Sequence, residues 1–318
     1  DNAGETLPRV RYFEAWNEPN LWAFLTPVRS GGKLKNAEHY RKMLNAFYDA
    51  VKDVKGGNKV VAPATSPFGD SSGKKRSRPV EFIRELFCLK GKKNPKPKSN
   101  CKTSELPKLD IVSHHPINIL GKPTRSAKDP DDASSPDMDR IGKAAKAAAK
   151  AGNILPVKSN GKSKKRPLWA TEFFWFSDPP DKRDVATNLN KQASRIVEAL
   201  YLLWEDGVKT AVYLGLRDSP NFGSGLFFDD GEAKPALDAF RFPFVGDRKS
   251  KKKIKVWGKA PANGKLKVQE KKGSKWKTIK RFNVKEGKVF YKSVKLKGKA
   301  KIRGELKGET THPWTQKK

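Results

Sequence analysis

The order of segments constrains this chain more than anything else in it. Short runs of β-forming residues alternate with apolar runs at helical spacing, and most of the short runs end in polar side chains. Arg9–Trp16 reads as a strand, and Tyr40, Leu44, Phe47, Tyr48 and Val51 mark a helix over Ala37–Val54 that Gly56 and Gly57 stop. Strands at Lys59–Ala62, Leu109–Ser113, Pro167–Thr171 and Thr210–Leu216 then alternate with helices at Pro79–Leu89, Asp139–Ala151, Asn188–Trp204 and Pro235–Phe240. Such repetition predicts a parallel sheet, doubly wound or closed into a barrel, and either form presents its chemistry at the carboxyl ends of the strands. Asn17, Glu18, Ser66, His114, His115, Glu172, Arg217 and Asp218 all fall at or just after those ends.

After Val245 the pattern changes to alternating segments at Lys253–Trp257, Gly264–Glu270, Trp276–Phe282 and Val289–Leu296, separated by Gly, Asn and Lys. This predicts a small antiparallel β-sandwich over 247–318, following an α/β domain over 1–246. The formal charge is +34, from 68 Lys and Arg against 34 Asp and Glu, and about two thirds of that excess lies after Asp247. The charges there alternate with apolar residues and match no DNA- or RNA-binding motif, so no specific nucleic-acid partner is expected. The Lys rows read either as solvated strand faces or as a surface for an anionic cell-envelope polymer.

Cys88 and Cys101 lack the neighbouring Cys or His of a zinc site, which leaves a short-loop disulfide or two buried thiols. No metal or cofactor is expected. The chain carries no apolar run of transmembrane length and no secretory-signal pattern at its amino terminus.

Two carboxylates stand out by their surroundings. Glu18 lies in Trp16-Asn17-Glu18-Pro19-Asn20 and Glu172 in Trp169-Ala170-Thr171-Glu172-Phe173. Glycoside hydrolysis needs such a pair, one to protonate the leaving oxygen and one to attack or to activate water. With these motifs the chain resembles the clan A glycoside hydrolases. Through Glu38-His39-Tyr40-Arg41, Ser66-Pro67-Phe68-Gly69-Asp70, Ser113-His114-His115-Pro116 and Gly231 to Phe244 it is similar to actinobacterial enzymes near family thirty-nine. The resemblance covers about the first 246 residues. It implies a TIM-type (β/α) barrel and a retaining mechanism, with Glu18 as acid/base at the end of the fourth barrel strand and Glu172 as nucleophile at the end of the seventh. On that reading the first three barrel strands are missing from this chain.

Around the pair, His115 is expected either to hydrogen-bond substrate or nucleophile or to pack as a structural histidine, with His114 the weaker candidate. Trp16 and Trp175 read as sugar-stacking platforms or as core, and Arg217 and Asp218 as hydroxyl ligands or members of an internal ion pair. Asn17 ranks above Asn20, which suits a turn after Pro19, and Asp178 and Asp181 flank prolines that make a rigid rim. The function expected first is hydrolysis of an oligosaccharide, polysaccharide or other glycoside. A binding protein that holds anionic polysaccharide through its basic tail comes second, and a nucleic-acid module third. Resemblance and the expected disulfide together imply a secreted or cell-envelope protein.

Overall fold

The computed structural model describes residues 7–99, 101 and 105–317, so residues 100 and 102–104 of the irregular stretch Lys90–Lys108 lie outside the described residues. The chain forms two compact units that cut across the expected 246/247 boundary. One comprises residues 7–117, 125–173 and 206–212, the other residues 118–124, 174–205 and 213–317.

The first unit holds a five-stranded sheet in chain order: β1 (Tyr12–Glu14), β2 (Lys59–Thr65), β3 (Ile111–His114), β4 (Leu168–Phe173) and β5 (Val208–Tyr213). Phe13 lies opposite Val60, Val61 opposite Ile111 and Val112 opposite Leu168 in parallel ladders. Every residue of β2 after Lys59 is buried, as is all of β3, including the polar Thr65, Ser113 and His114 at their carboxyl ends. The sheet is a curled parallel half-barrel. Tyr12 on β1 and Trp169 on β4 show how strong the curl is. Three strand spacings of about 4.8 Å would hold these strands some 14 Å apart in a flat sheet, yet the ring centroids are 4.9 Å apart.

Three helices belong to this unit. On α1 (Lys35–Val54) the buried Ala37, Tyr40 and Leu44 repeat at helical spacing. Helix α2 (Pro79–Leu86) starts on a proline, whose missing N–H is harmless in a first turn. Helix α3 (Met138–Ala151) closes on Gly152 at φ +77°, where a Cβ would sit 2.3 Å from the Gly161 carbonyl oxygen, so both conformation and space require glycine. The Cys88–Cys101 disulfide is formed.

The second unit contains α4 (Leu189–Glu205) and α5 (Pro235–Arg241), then β6 (Phe244–Ser250), β7 (Lys253–Lys259), β8 (Gly264–Lys272), β9 (Lys275–Val284), β10 (Val289–Lys295), β11 (Ala300–Leu306), β12 (Glu309–Thr310) and β13 (Trp314–Gln316). Two antiparallel sheets result, β6-β7-β10 and β9-β8-β11-β12 with β13 on β11. Their alternating apolar residues, among them Ile254, Val256, Leu266, Val268, Phe290 and Ile302, form one buried cluster. Ala193, Val197 and Tyr201 of α4 share a second apolar cluster with Val245 and Trp257. Tyr201 and Tyr291 both donate to the Asp247 carboxylate, at 2.8 and 2.9 Å.

Candidate active site

The loop leaving β1 is fixed before any catalytic group is considered. Ala15 and Glu18 donate their N–H groups to the Val61 and Ala64 carbonyls of β2, both at 3.0 Å, and the Tyr40 hydroxyl donates to the Ala15 carbonyl at 2.6 Å. Asn36 holds the Pro19 carbonyl at 2.9 Å. Asn20 is fully buried and makes three bonds: its amide nitrogen donates to the Ser66 and Ser77 carbonyls, and its oxygen accepts from the Ser66 N–H at 2.8 Å. That is the backbone-satisfying role the turn predicts for it. The loop also carries two side chains at positive φ, Trp16 at +70° and Glu18 at +40°. Non-glycine residues avoid this region, and strain held by such an anchored loop is a common property of functional sites.

Glu18 projects from this loop, His115 follows β3, and Glu172 is the penultimate residue of β4, which runs two residues beyond the predicted strand end. Nδ1 of His115 lies 3.1 Å from Oε1 of Glu18 and 3.6 Å from Oε2 of Glu172. One ligand atom from each of the three lies within 4.8 Å of the other two. The His115 side chain is 1% exposed, Glu18 13% and Glu172 28%, so the carboxylates form the open side of the cluster. Burial pushes the Glu172 carboxyl above its usual range; the His115 ring opposes this, while Glu18 and Glu14 reinforce it. Glu14 is a third carboxylate that the sequence reading passes over. It closes β1 and acts on Glu172 through charge.

His114 is structural. Its Nδ1 meets the Thr65 hydroxyl and its Nε2 the Ala133 carbonyl, each at 2.8 Å, and burial drives its pKa down to about 3. The neutral ring therefore donates from Nε2 and accepts at Nδ1. Asn17 is half-buried, and Trp16 is 53% exposed with its indole N–H donating to the Phe24 carbonyl, which leaves much of the ring open.

Trp175, Arg217 and Asp218 belong to the second unit. Trp175 is fully buried and its indole N–H donates to the Asn118 and Gly121 carbonyls, so the core alternative holds and the stacking role expected of it has no free ring face. Asp218 is also buried; Oδ1 accepts from the Gly225 N–H at 2.7 Å and Oδ2 pairs with Nζ of the buried Lys234 at 2.6 Å. This is the internal ion pair, made with Lys234 and not with its neighbour Arg217, which is exposed. Both residues lie in a loop because β5 ends at Tyr213, ahead of Gly215 at φ +94°.

A nitrogen and two carboxylates at this spacing would also serve a divalent cation. Two carboxylates and an imidazole at this spacing are also groups able to give and take a proton.

No protein-family model matches the chain, and no curated protein matches its sequence. Among solved structures it is similar to a beta-glucuronidase of Bacteroides uniformis, at 10% identity and TM-score 0.41, over 91% of this chain and 32% of that one. A xyloglucanase of Paenibacillus polymyxa from glycoside hydrolase family 44 matches at 12% identity and TM-score 0.40, over 90% of this chain and 64% of that one. A beta-porphyranase of glycoside hydrolase family 86 from Bacteroides plebeius matches at 12% identity and TM-score 0.42, over 92% and 58%. These structural neighbours are glycoside hydrolases, and the chain spans about a third of the length of the glucuronidases it matches.

Proposed function

We propose that this protein is a retaining glycoside hydrolase, with Glu18 as acid/base and Glu172 as nucleophile. The observation that carries the proposal is the approach of the two carboxylates, each with an oxygen within 4.8 Å of the other's across His115. Retaining enzymes hold their carboxyls about 5–5.5 Å apart, and inverting ones need about 6.5–9.5 Å for the intervening water. The spacing therefore favours direct attack. The sequence resemblance to clan A enzymes near family thirty-nine supports the same division of roles.

In the first step an oxygen of Glu172 bonds to the anomeric carbon as the bond to the leaving oxygen breaks, and the Glu18 proton passes to that oxygen. In the second, water gives its proton to Glu18, its oxygen bonds to the anomeric carbon, and Glu172 is released. Glu172 must be ionised to attack, and burial opposes this, so the charge interaction with His115 is what holds it toward the ionised form. The open indole face of Trp16 suits a pyranose ring and Asn17 a sugar hydroxyl. We assign the substrate to the oligosaccharides, polysaccharides and glycosides, and the protein to the secreted or cell-envelope fraction.

The test is hydrolysis of a panel of aryl glycosides by the purified chain, by Glu18→Gln and by Glu172→Gln, with the anomeric configuration of the product followed by NMR. Retention of configuration, with both variants inactive, is expected. Inversion, or turnover that survives either substitution, would remove the assignment. Dialysis against a chelator is expected to leave the rate unchanged, whereas loss that a divalent metal restores would make the three residues a metal site.

A further inference from the structure

Strands from both sheets of the basic unit enclose a cleft of about 1020 Å³ far along the chain from the carboxylate pair. Its walls carry Lys252, Lys253, Lys272, Lys280, Lys295 and Lys297, all exposed. Its floor is apolar: Ile279 is half-buried, over the buried Val294 and Leu296. Glu270 is the acidic residue of this lining, and Lys272 holds it at 2.7 Å. Among the described residues, none of the other five lysines has a carboxylate in ion-pair range.

The strand register makes this arrangement unfavourable for the fold. Lys253 lies directly opposite Lys295 in the β7–β10 ladder, and Lys272 opposite Lys275 across the β8–β9 hairpin. Like charges facing each other across strands destabilise a sheet, and a local rule broken without local compensation marks a functional constraint. Ammonium groups contributed by both sheets, converging on one cleft, call for several anionic charges linked in a chain.

We propose that this cleft binds a linear polysaccharide bearing carboxylates, a polyuronate. Single-stranded nucleic acid binds on aromatic platforms, and among the described residues no aromatic ring lines the cleft. Duplex recognition needs an element that enters a groove, and a membrane needs a face that lies against its plane; a concave lining offers neither. Lysine is a compact, strongly hydrated charge, which matches a carboxylate more closely than the diffuse charge of a sulfate ester. Ile279 and the methylene stems of the lysines suit the C–H faces of the sugar rings. Nothing in this inference depends on Glu18 or Glu172.

The experiment is calorimetric titration of the whole chain with polygalacturonate, dextran, dextran sulfate, an oligo-dT and phosphatidylglycerol vesicles, at rising salt. Polygalacturonate is expected to bind more tightly than the other four, with affinity that falls steeply as salt screens the charges. The variant Lys253→Glu/Lys280→Glu/Lys295→Glu/Lys297→Glu is expected to lose about thirtyfold in affinity or more, while Lys265→Glu/Lys285→Glu/Lys288→Glu/Lys307→Glu, outside the cleft, loses less than about threefold. The four cleft lysines replaced by Gln, with melting temperature checked, keep the test open should the Glu set misfold. Equal losses in the two Glu sets, no binding, or tighter binding of any other probe would overturn the proposal. Glu18→Gln is expected to bind as the parent does, which separates this result from the fate of the catalytic reading.

Discussion

His115 places Nδ1 3.1 Å from Oε1 of Glu18, and the same nitrogen is 3.6 Å from Oε2 of Glu172. The ring therefore hydrogen-bonds Glu18 and acts on Glu172 through charge, between two carboxylates that would otherwise repel. Burial raises the Glu172 pKa and His115 opposes that rise. Replacing His115 with Ala removes the opposition, so the acidic limb of the pH–rate profile is expected to move to higher pH. A hydrogen bond to a charged group is worth about 1.5–3 kcal/mol, so kcat is expected to fall about tenfold to a hundredfold. A pH–rate series on parent and variant reads both effects; a lower rate with an unmoved acidic limb would assign His115 to packing alone.

The raised Glu172 pKa also makes a stability prediction. Between its unfolded value near the ordinary 4.5 and its higher folded value, the folded state binds more protons than the unfolded one. Stability from this group is therefore full below the unfolded value and is lost as pH rises through the folded one. Glu172→Gln cannot lose a proton, so it is expected to melt above the parent at neutral pH, and the gap is expected to close as the pH falls below the ordinary carboxylate range. Melting curves of both proteins across that range measure it, and a gap that widens toward acid contradicts the sign.

Asn20 lies two residues beyond Glu18 and ties the loop to Ser66 and Ser77. Asn20→Ala leaves buried backbone groups unpaired, at a cost of about 2–4 kcal/mol. Because that loop also holds Glu18 at positive φ, kcat is expected to fall while KM stays near the parent value. Denaturant unfolding and steady-state kinetics on one preparation test the two halves together.

The helices α1, α3 and α4 were legible because one-sided burial imposes a period on them, and the strands β2 and β3 because short runs rich in Val, Ile and Ala fall between those helices; the ends lie within a few residues of the sequence reading. That Glu18 and Glu172 lie near each other was legible because each falls at the carboxyl end of a strand of one parallel sheet. Other features depend on contacts between residues far apart in the chain. No periodicity shows that α4 shares apolar neighbours with Val245 and Trp257. Nor does Trp175 advertise in sequence that the Asn118 and Gly121 carbonyls enclose its N–H. Asp218 is the same kind of case, since its partner Lys234 lies beyond a loop that must fold back first.

That pair yields the last prediction. Lys234 Nζ sits 2.6 Å from Asp218 and 2.9 Å from the Ser177 hydroxyl, in a fully buried place. Burial lowers the Lys234 pKa, and the hydrogen bond and charge of Asp218 oppose it. Asp218→Asn keeps the shape and removes the countercharge, stranding a buried ammonium at a cost of about 3–5 kcal/mol. The stranded amine then folds best without its proton, so the unfolded state binds more protons and stability is expected to rise as pH climbs toward the ordinary lysine range. The double variant Asp218→Asn/Lys234→Met removes the charge along with its partner and is expected to recover much of the loss. Denaturant unfolding of the four proteins closes the cycle. If Asp218 instead serves as a hydroxyl ligand, Asp218→Asn leaves stability near the parent and raises KM, and the absence of any coupling with Lys234→Met identifies that case.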